Sequence, residues 1–208
     1  MCKKLCLIFL ALMISLSAAA CGMTDSNMDI YEKIHKHYNK MEGYSADLSL
    51  TVFSNKTENR YYAAQKTISP DKFYTKVTDE EGTFSVTTVT NGGKTTVSAD
   101  AFSHSMTVPS DEYLSLLFVN NFLSAYYASE DTVLSVSNSL AKPDKTVMEV
   151  FLPENKLSIT KVSLSFDNRS LLPVSVALYS GDKMTAYGVY ENFKYNDKID
   201  QSVFNADN

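Results

Sequence analysis

The spacing of apolar residues changes from helical to strand-like after residue 43. Over residues 29–41 apolar side chains recur every three or four positions, which predicts an amphipathic helix with Gly43 as its C-terminal stop. Residues 46–52 then alternate between apolar and polar side chains, as is typical of a half-buried strand. Similar strand patterns follow at residues 60–68, 72–78, 84–88, 94–99, 132–136, 146–152, 157–166, 174–178 and 183–190.

A second helical pattern interrupts these strands, and it is predicted to begin near Ser110-Asp111. The residues at helical spacing are Leu114, Leu117, Phe118, Asn121, Phe122 and Ala125. This stripe is wide and aromatic, so we expect the helix to fill the hollow of a concave sheet. The aromatic residues Phe118, Phe122, Tyr126 and Tyr127 are interpreted as core, with the wall of an apolar ligand cavity as the alternative.

Turn residues separate the predicted strands at regular intervals, most clearly at the hairpin signature Asn91-Gly92-Gly93. Even spacing of strands and turns predicts one large antiparallel sheet. The expected fold class is therefore α+β, mainly β, with a large curved antiparallel sheet packed with an N-terminal helix and an inserted helix. No linker pattern interrupts residues 44–204, so we expect a single domain over residues 28–208.

The first twenty residues carry the pattern of a secretory signal peptide. Lys3 and Lys4 precede an apolar segment at residues 5–16, and small residues at 17–20 precede Cys21. The apolar segment is shorter than the roughly 20 residues that a transmembrane helix needs. We therefore expect residues 1–20 to be removed during export.

Cys21 follows the small residues directly, and this arrangement resembles the lipobox of bacterial lipoproteins. The resemblance implies a diacylglyceryl group on the Cys21 thiol and a lipidated linker over residues 21–27. Two acyl chains hold a protein stably at a membrane because each buried CH₂ contributes about 0.8 kcal/mol. Lipoboxes usually carry leucine where this chain has Ala18. Residues 18–20 also match the cleavage site of ordinary signal peptidase, so the alternative is a secreted protein without lipid.

Composition excludes several classes of site and partner. Cys2 and Cys6 leave with the signal peptide, so a mature chain with Cys21 alone has no internal disulfide and no Cys-x-x-Cys site. Loss of Lys3 and Lys4 lowers the formal net charge from −5 to −7. Because nucleic-acid affinity comes largely from Lys and Arg on phosphates, we expect no nucleic-acid partner.

Candidate catalytic and metal-binding residues are few. His35 and His37 lie two positions apart on the predicted helix, which points them to different faces rather than to one metal ion. His104 has serines nearby but no spacing typical of a catalytic triad. The acidic segment Asp79-Glu80-Glu81-Gly82 lacks the alternating Asp pattern of a calcium loop. We therefore predict a protein that is not an enzyme, with no catalytic residue, no metal site and no cofactor.

Several short segments, taken in order, resemble the LolA/LolB lipoprotein-carrier fold over residues 28–204. The matching segments are Ser69-Pro70-Asp71-Lys72-Phe73, Asn91-Gly92-Gly93-Lys94-Thr95, Leu172-Pro173-Val174, residues 190–196, Ile199-Asp200 and Phe204. The resemblance implies a half-barrel sheet whose apolar concavity, in a carrier, holds acyl chains. An extracytoplasmic carrier of lipid or another hydrophobic ligand is accordingly the alternative function.

Within that superfamily the chain is most similar to the GerS family, the germination lipoproteins of spore-forming clostridia. The grounds are the Cys21 lipobox, the domain size and the frequent Lys, Asn and Tyr. The similarity implies a location at the extracytoplasmic face of the membrane, in the forespore intermembrane space. It also implies a role in spore germination, through binding and activating a CwlD-like cortex peptidoglycan N-acetylmuramoyl-L-alanine amidase. Long strands leave unpaired edges, so we further expect a homodimer or partner docking by strand-edge pairing.

Overall fold

The computed structural model describes residues 29–100, 106–108, 114–137, 145–152 and 159–205. The chain divides into two compact units, Met1–His35 and Lys36–Asn208. In the first unit, helix α1 (Ile30–Tyr38) begins, and the Lys33 N–H donates to the Asp29 carbonyl over 3.1 Å. The second unit contains the end of α1 and every other element described below.

One antiparallel sheet dominates the second unit and has eleven strands among the described residues. The strands are β1 (Gly43–Phe53), β2 (Glu58–Ile68), β3 (Lys72–Asp79), β4 (Ser85–Asn91), β5 (Lys94–Ala99), β6 (Met106–Val108), β7 (Thr132–Ser137), β8 (Lys145–Phe151), β9 (Lys161–Asp167), β10 (Pro173–Ser180) and β11 (Lys183–Tyr195). Their order is β6-β5-β4-β3-β2-β1-β11-β10-β9-β8-β7. Pairing of β1 with β11 thus joins two meanders into one sheet, with β6 and β7 at its edges. The predicted fold class, mainly β with one large antiparallel sheet and two helices, is confirmed.

Three short elements complete the second unit. They are a 3₁₀ helix at Leu114–Leu117, helix α2 (Val119–Ala128), which packs on β8, and a 3₁₀ helix at Gln201–Phe204, which contacts β3 and β4. Asp200 is the N-cap of the last of these, because its carboxylate accepts the Ser202 N–H over 2.9 Å. This hydrogen bond lowers the pKa of Asp200. Phe204 is buried at the end of the same turn.

Alternating side chains of the strands form the buried interior. On β1, Tyr44, Ala46 and Leu48 are buried while Asp47 is exposed. The interior also contains Met148, Val150, Val162, Leu164, Phe166, Val176 and Leu178. Because burial of apolar area is favourable by about 25 cal/mol per Å², this alternation fixes which face of each strand turns inward.

The predicted strands are confirmed, with some different ends and one addition. β11 continues to Tyr195 rather than 190, because it keeps pairing with β1 as far as Tyr195 opposite Tyr44. β9 begins at Lys161 rather than at residue 157, and residues 157–158 lie outside the described residues. Phe84 precedes β4 and is 45% exposed, so it does not belong to a strand face as predicted. β6 was not predicted.

The hairpin predicted at Asn91-Gly92-Gly93 is confirmed. β4 ends at Asn91, β5 begins at Lys94, and Gly92 and Gly93 have φ angles of +57° and +78°. Positive φ at both central residues is the geometry of a type I′ turn, whose twist matches that of the flanking strands. Glycine adopts it without steric cost.

The inserted helix differs from the prediction. It is interrupted at Phe118, whose backbone is extended (φ −91°, ψ 130°) between the 3₁₀ helix and α2. The buried residues of α2 are Val119, Phe122, Leu123 and Tyr126. Of the predicted stripe, Phe122 alone is buried among the side chains that the structure describes, because the break changes which residues face the sheet. The predicted start at Ser110-Asp111 lies outside the described residues.

Gly43 does not end α1 as predicted, because α1 ends at Tyr38 and Gly43 begins β1. A Cβ atom at this position would lie 2.2 Å from the carbonyl oxygen of Thr67 on β2. The residue therefore permits a close backbone approach where β1 first pairs with β2.

Replacing Gly43 with alanine should lower the free energy of unfolding by about 1–3 kcal/mol, the usual cost of overpacking a well-packed site. Gly188→Ala is the matched comparison, because its Cβ would meet the side chains of Leu48 and Val176 at 2.8 and 3.1 Å, and side chains can shift. We expect a smaller loss there. Urea unfolding of the full-length proteins measures both, and equal losses would contradict a backbone collision at residue 43.

Candidate functional site

Three polar side chains from the central strands hold the start of α2 to the sheet. They are Tyr44 on β1, Gln65 on β2 and Tyr190 on β11, named here the helix-anchoring network. The Tyr190 hydroxyl and the Gln65 Nε2 both donate to the Leu117 carbonyl, over 2.7 and 3.3 Å. The Val119 N–H donates to the Tyr44 hydroxyl over 3.2 Å, and that hydroxyl donates to Gln65 Oε1 over 3.1 Å.

The helix-anchoring network satisfies backbone groups at the break in the inserted segment. Leu117 and Val119 flank the extended residue Phe118, where a regular helical ladder is interrupted. Tyr44 and Gln65 are 0% and 2% exposed, so water does not reach them to act as an alternative partner. Leaving a buried donor or acceptor unpaired costs about 1–3 kcal/mol. The hydrogen bonds therefore fix the position of α2 on the sheet.

The tyrosines of this network are not poised for acid–base chemistry. Burial raises the pKa of both Tyr44 and Tyr190 well above the ordinary 10.0, and the hydrogen bond from Val119 opposes this effect at Tyr44. Both phenols stay protonated near neutral pH. They act as fixed donors and acceptors that position the helix.

The aromatic residues of α2 divide between the interior and the surface. Phe122 and Tyr126 are 0% and 6% exposed, so their interpretation as core residues is confirmed. Phe118 packs against Phe73 of β3, with ring centroids 5.1 Å apart. Tyr127 is 36% exposed, so its assignment to the core is wrong. Phe122 and Tyr126 therefore belong to the packed interior beneath the helix.

The histidines lie in different surroundings. His35 stacks on Tyr31 within α1, with ring centroids 6.4 Å apart. The His37 ring lies 4.2 Å from the ring of Tyr195, and burial lowers the pKa of His37. His104 lies outside the described residues. In the described part of the chain, no group of three or more His, Cys, Asp or Glu side chains could hold a metal ion.

The acidic segment at residues 79–82 forms the turn between β3 and β4 and borders a polar groove of about 400 Å³. The groove is lined by Glu58, Asn59, Arg60, Tyr61, Asp79, Glu80, Glu81 and Phe84. The Asp79 carboxylate accepts the Thr83 hydroxyl over 2.5 Å and the Phe84 N–H over 3.0 Å, which lowers the pKa of Asp79. Arg60 lies 3.9 Å from Glu80. Asp79 therefore holds the turn together, and the exposed ion pair contributes little to stability.

Exposed apolar side chains gather at one edge of the sheet. Val133, Leu134 and Val136 on β7 are 40%, 36% and 41% exposed, and these three are named here the β7 edge patch. Phe151, at the end of the neighbouring strand β8, is 44% exposed. Clustered apolar residues of this kind mark surfaces for association rather than sites of chemistry.

Cys21, the one site residue that the sequence predicts, lies outside the described residues, so its lipid attachment stays a prediction. Neither helix in the described ranges has the length and hydropathy that crossing a bilayer requires.

The sequence analysis missed the helix-anchoring network. The position of Gln65 could have indicated a buried hydrogen bond, because it is an inward position of an alternating strand, where a polar residue needs a partner. Tyr44 and Tyr190 carried none, since tyrosine is common in strands. Their partners lie on the inserted segment, and no sequence pattern connects them.

A family model described as sporulation protein YdcC-like matches residues 2–204 of the chain. No curated protein sequence matches it.

Among solved structures, the chain is similar to a chain in the structure of the CwlD amidase from Clostridioides difficile in complex with the GerS lipoprotein. The identity is 20% and the TM-score 0.45, over 83% of this chain and 97% of that chain. It is also similar to a LolA superfamily protein from Nitrosomonas europaea, at 12% identity and a TM-score of 0.43 over 85% of this chain and 96% of that one. Lipoprotein LppX from Mycobacterium tuberculosis gives 12% identity and a TM-score of 0.47 over 82% and 95%. The predicted resemblance to GerS and LolA proteins is confirmed as a likeness of fold. At these values the likeness carries no partner or activity from those proteins to this chain.

Tyr44→Phe should lower the free energy of unfolding by about 1–3 kcal/mol, because the Val119 N–H and Gln65 Oε1 lose their partner in a buried site. The matched control is Tyr187→Phe on the exposed side of β11, where we expect a change within about 0.5 kcal/mol. Hydrogen exchange of the Val119 amide should accelerate in Tyr44→Phe alone. Unchanged exchange at Val119 would show that Tyr44 does not hold the helix.

Proposed function

The chain belongs to the family of YdcC-like sporulation proteins, and from this membership we propose that it is a lipid-anchored lipoprotein needed for spore germination. It has no catalytic activity of its own. It acts by binding and activating a cortex peptidoglycan N-acetylmuramoyl-L-alanine amidase of the CwlD type. The observation that carries the proposal is the match of a sporulation-family model to residues 2–204, nearly the whole chain.

The proposed anchor is lipid on Cys21. The signal peptide of residues 1–20 is removed, residues 21–27 form a linker, and residues 28–208 form the domain at the extracytoplasmic face of the membrane. During sporulation this face borders the forespore intermembrane space. A mature domain of formal charge −7 is not attracted to anionic lipid, which binds polybasic segments. The domain therefore stands away from the bilayer on its linker, where a soluble partner can reach it.

A binding role is supported by what the buried polar groups do. The donors and acceptors of the helix-anchoring network form hydrogen bonds that hold α2. The raised pKa values of Tyr44 and Tyr190 keep their hydroxyls protonated. Three of the exposed large apolar side chains form the β7 edge patch, and others, such as Tyr62 and Phe84, lie elsewhere on the surface. In the solved complex from Clostridioides difficile, the GerS lipoprotein is bound to the CwlD amidase. We extend that pairing to this chain on the strength of the family and the sequence resemblance, and the likeness of fold adds no weight to it.

The competing function is a carrier of lipid or another hydrophobic ligand, as in LolA proteins. A ligand pocket usually has a volume of about 300 Å³ or more and mainly apolar walls. Val119 and Phe122 on the inner side of α2 are fully buried, and hydrogen bonds hold the start of this helix to three strands. The groove of about 400 Å³ beside β3 has acidic and polar walls. Both observations favour a binding protein with a filled interior over a carrier.

We also propose that the chain forms a homodimer by strand-edge pairing. The outermost strands of an open sheet carry backbone N–H and C=O groups that another strand can pair with. Here β6 and β7 occupy these positions among the described strands.

Adding the full-length lipoprotein, solubilised in detergent, to the amidase of its own host should raise the rate of amide cleavage in cortex peptidoglycan. We expect about a tenfold rise, equivalent to 1.4 kcal/mol of transition-state free energy, with saturation at a fixed ratio of the two proteins. Heat-unfolded lipoprotein is the control. An unchanged rate without a complex on gel filtration would eliminate the activator role, and acyl lipid copurifying in stoichiometric amount would favour the carrier.

Cys21→Ala should move the protein from the membrane fraction to the soluble fraction, because the acyl chains supply the attachment. Ser26→Ala, in the same linker, is the matched control and should stay with the membrane. Fractionation of the host followed by immunoblotting measures the change. A Cys21→Ala protein that remains wholly in the membrane fraction rules out the lipid anchor.

A further inference from the structure

His37 and Tyr195 form a contact between the end of α1 and the end of β11. Their ring centroids lie 4.2 Å apart, with the ring planes inclined by 31°. The Tyr195 hydroxyl donates to the His37 carbonyl over 2.7 Å. The next helix residue, Tyr38, donates its hydroxyl to the Leu171 carbonyl over 2.9 Å and packs against Phe166. His37 is the member of this contact that changes its charge near neutral pH.

The surroundings of the His37 ring suit the neutral imidazole better than the charged form. The His37 Nε2 atom is shielded from solvent, and it has no hydrogen-bond partner among the described residues. In a neutral ring this nitrogen can be the unprotonated one. An imidazolium donates from both ring nitrogens, so protonation would leave a charged N–H buried without an acceptor. Burial accordingly lowers the pKa of His37 below the ordinary 6.5.

The groups around the contact do not reverse this effect. Charged or titratable residues lie on α1, before β1, in the turn before β10 and around the end of β11, namely Lys33, His35, Lys36, Lys40, Glu42, Asp167, Arg169, Lys194, Asp197 and Lys198. The charge of Glu42 raises the pKa of Tyr195, whereas burial is the cause of the shift at His37. The carbonyl end of α1 and the face of the Tyr195 ring would attract an imidazolium. Because the pKa of His37 is nevertheless lowered, burial outweighs both attractions.

We propose that His37 makes the attachment of α1 to β11 sensitive to pH, so that its protonation in mildly acidic solution loosens the segment from His37 to Met41. In the open segment the imidazole meets water and has its ordinary pKa of 6.5, whereas in the closed segment its pKa is lower. Protons therefore bind the open form more strongly. The closed form is favoured above pH 6.5, and opening increases as the pH falls below 6.5 until the closed form also binds the proton.

The loosening should end at Glu42 and leave the sheet intact. The Glu42 N–H donates to the Asn196 side-chain oxygen over 2.8 Å, and the Glu42 carbonyl accepts the Ser69 N–H over 2.7 Å. β1 follows directly and is paired on both sides, with β2 and β11. Resting on the proposed anchor at Cys21, acid would thus loosen the connection between the membrane and the sheet without unfolding the domain.

Hydrogen exchange of the full-length protein, solubilised in detergent, tests this inference. The Met41 amide donates to the Tyr38 carbonyl over 3.0 Å, so its exchange reports opening of the segment. Its protection factor, which is corrected for the pH dependence of intrinsic exchange, should fall several-fold from about pH 7.5 to about pH 5. The fall should stay below about thirty-fold, which is the ratio of protonated to neutral form for a histidine of pKa 6.5 at about pH 5.

Substitutions assign the effect to one side chain. His37→Phe removes the titrating group and keeps an aromatic ring beside Tyr195, so the protection of Met41 should be equal at both pH values. His37→Gln is a second neutral variant and should also abolish the pH dependence. The matched controls are His35→Gln, a second histidine on α1, and Glu42→Gln, the carboxylate whose charge reaches Tyr195. Both controls should keep the fall of the unsubstituted protein.

The inference is overturned if the unsubstituted protein shows no fall, or if both His37 variants show the same fall. A fall that disappears in His35→Gln or in Glu42→Gln overturns it as well. NMR of the unsubstituted protein provides a measurement that needs no variant, because the ring signals of His37 and Tyr195 should shift together with a midpoint below pH 6.5. A midpoint at or above 6.5 contradicts the inference. These readouts require neither the lipid nor the amidase, so the proposed function can fail separately.

Discussion

The structure depends on one long-range interaction, the backbone pairing of β1 with β11. The ladder extends from Tyr44 opposite Tyr195 to Val52 opposite Ala186 and joins strands from opposite ends of the described chain. Every other strand pair is a hairpin or a connection between neighbours in sequence. Without the β1–β11 ladder the two meanders would be separate sheets with additional open edges. Forming it requires closure of a long loop, whose entropic cost is met only when both meanders are in place.

That ladder also creates the surface on which the inserted helix rests. It places Tyr190 of β11 opposite Leu48 of β1. The side chains of Tyr190, Tyr44 and Gln65 all reach the backbone of Leu117 or Val119, so that three strands present polar groups to one point. The break at Phe118 exposes a carbonyl and an N–H at that same point, and the network satisfies both. The interior beneath α2 is consequently closed by specific hydrogen bonds rather than by apolar contact alone. A closed interior of this kind is consistent with the proposed binding function.

The surfaces available for such a role are unequal. The acidic turn at Asp79 uses its carboxylate to organise its own backbone, and the adjoining groove is polar. The β7 edge patch lies on an outermost strand of the described sheet and carries apolar side chains on both faces. Strand pairing supplies orientation and apolar contact supplies affinity, so this edge is the part of the described molecule best suited to association.

The class of fold follows from local sequence patterns, because the two-residue alternation over residues 46–52 and the glycines at 92 and 93 do not depend on contacts with distant segments. The export and anchoring hypothesis also comes from the sequence, since the signal-peptide pattern of residues 1–20 before Cys21 is recognised from the order of residues alone. The tertiary structure decided the break at Phe118, the requirement for glycine at position 43 and the identity of the helix-anchoring network. Each of these arises from contact between segments distant in the chain, such as the Thr67 carbonyl against Gly43, and periodicity carries no information about such contacts.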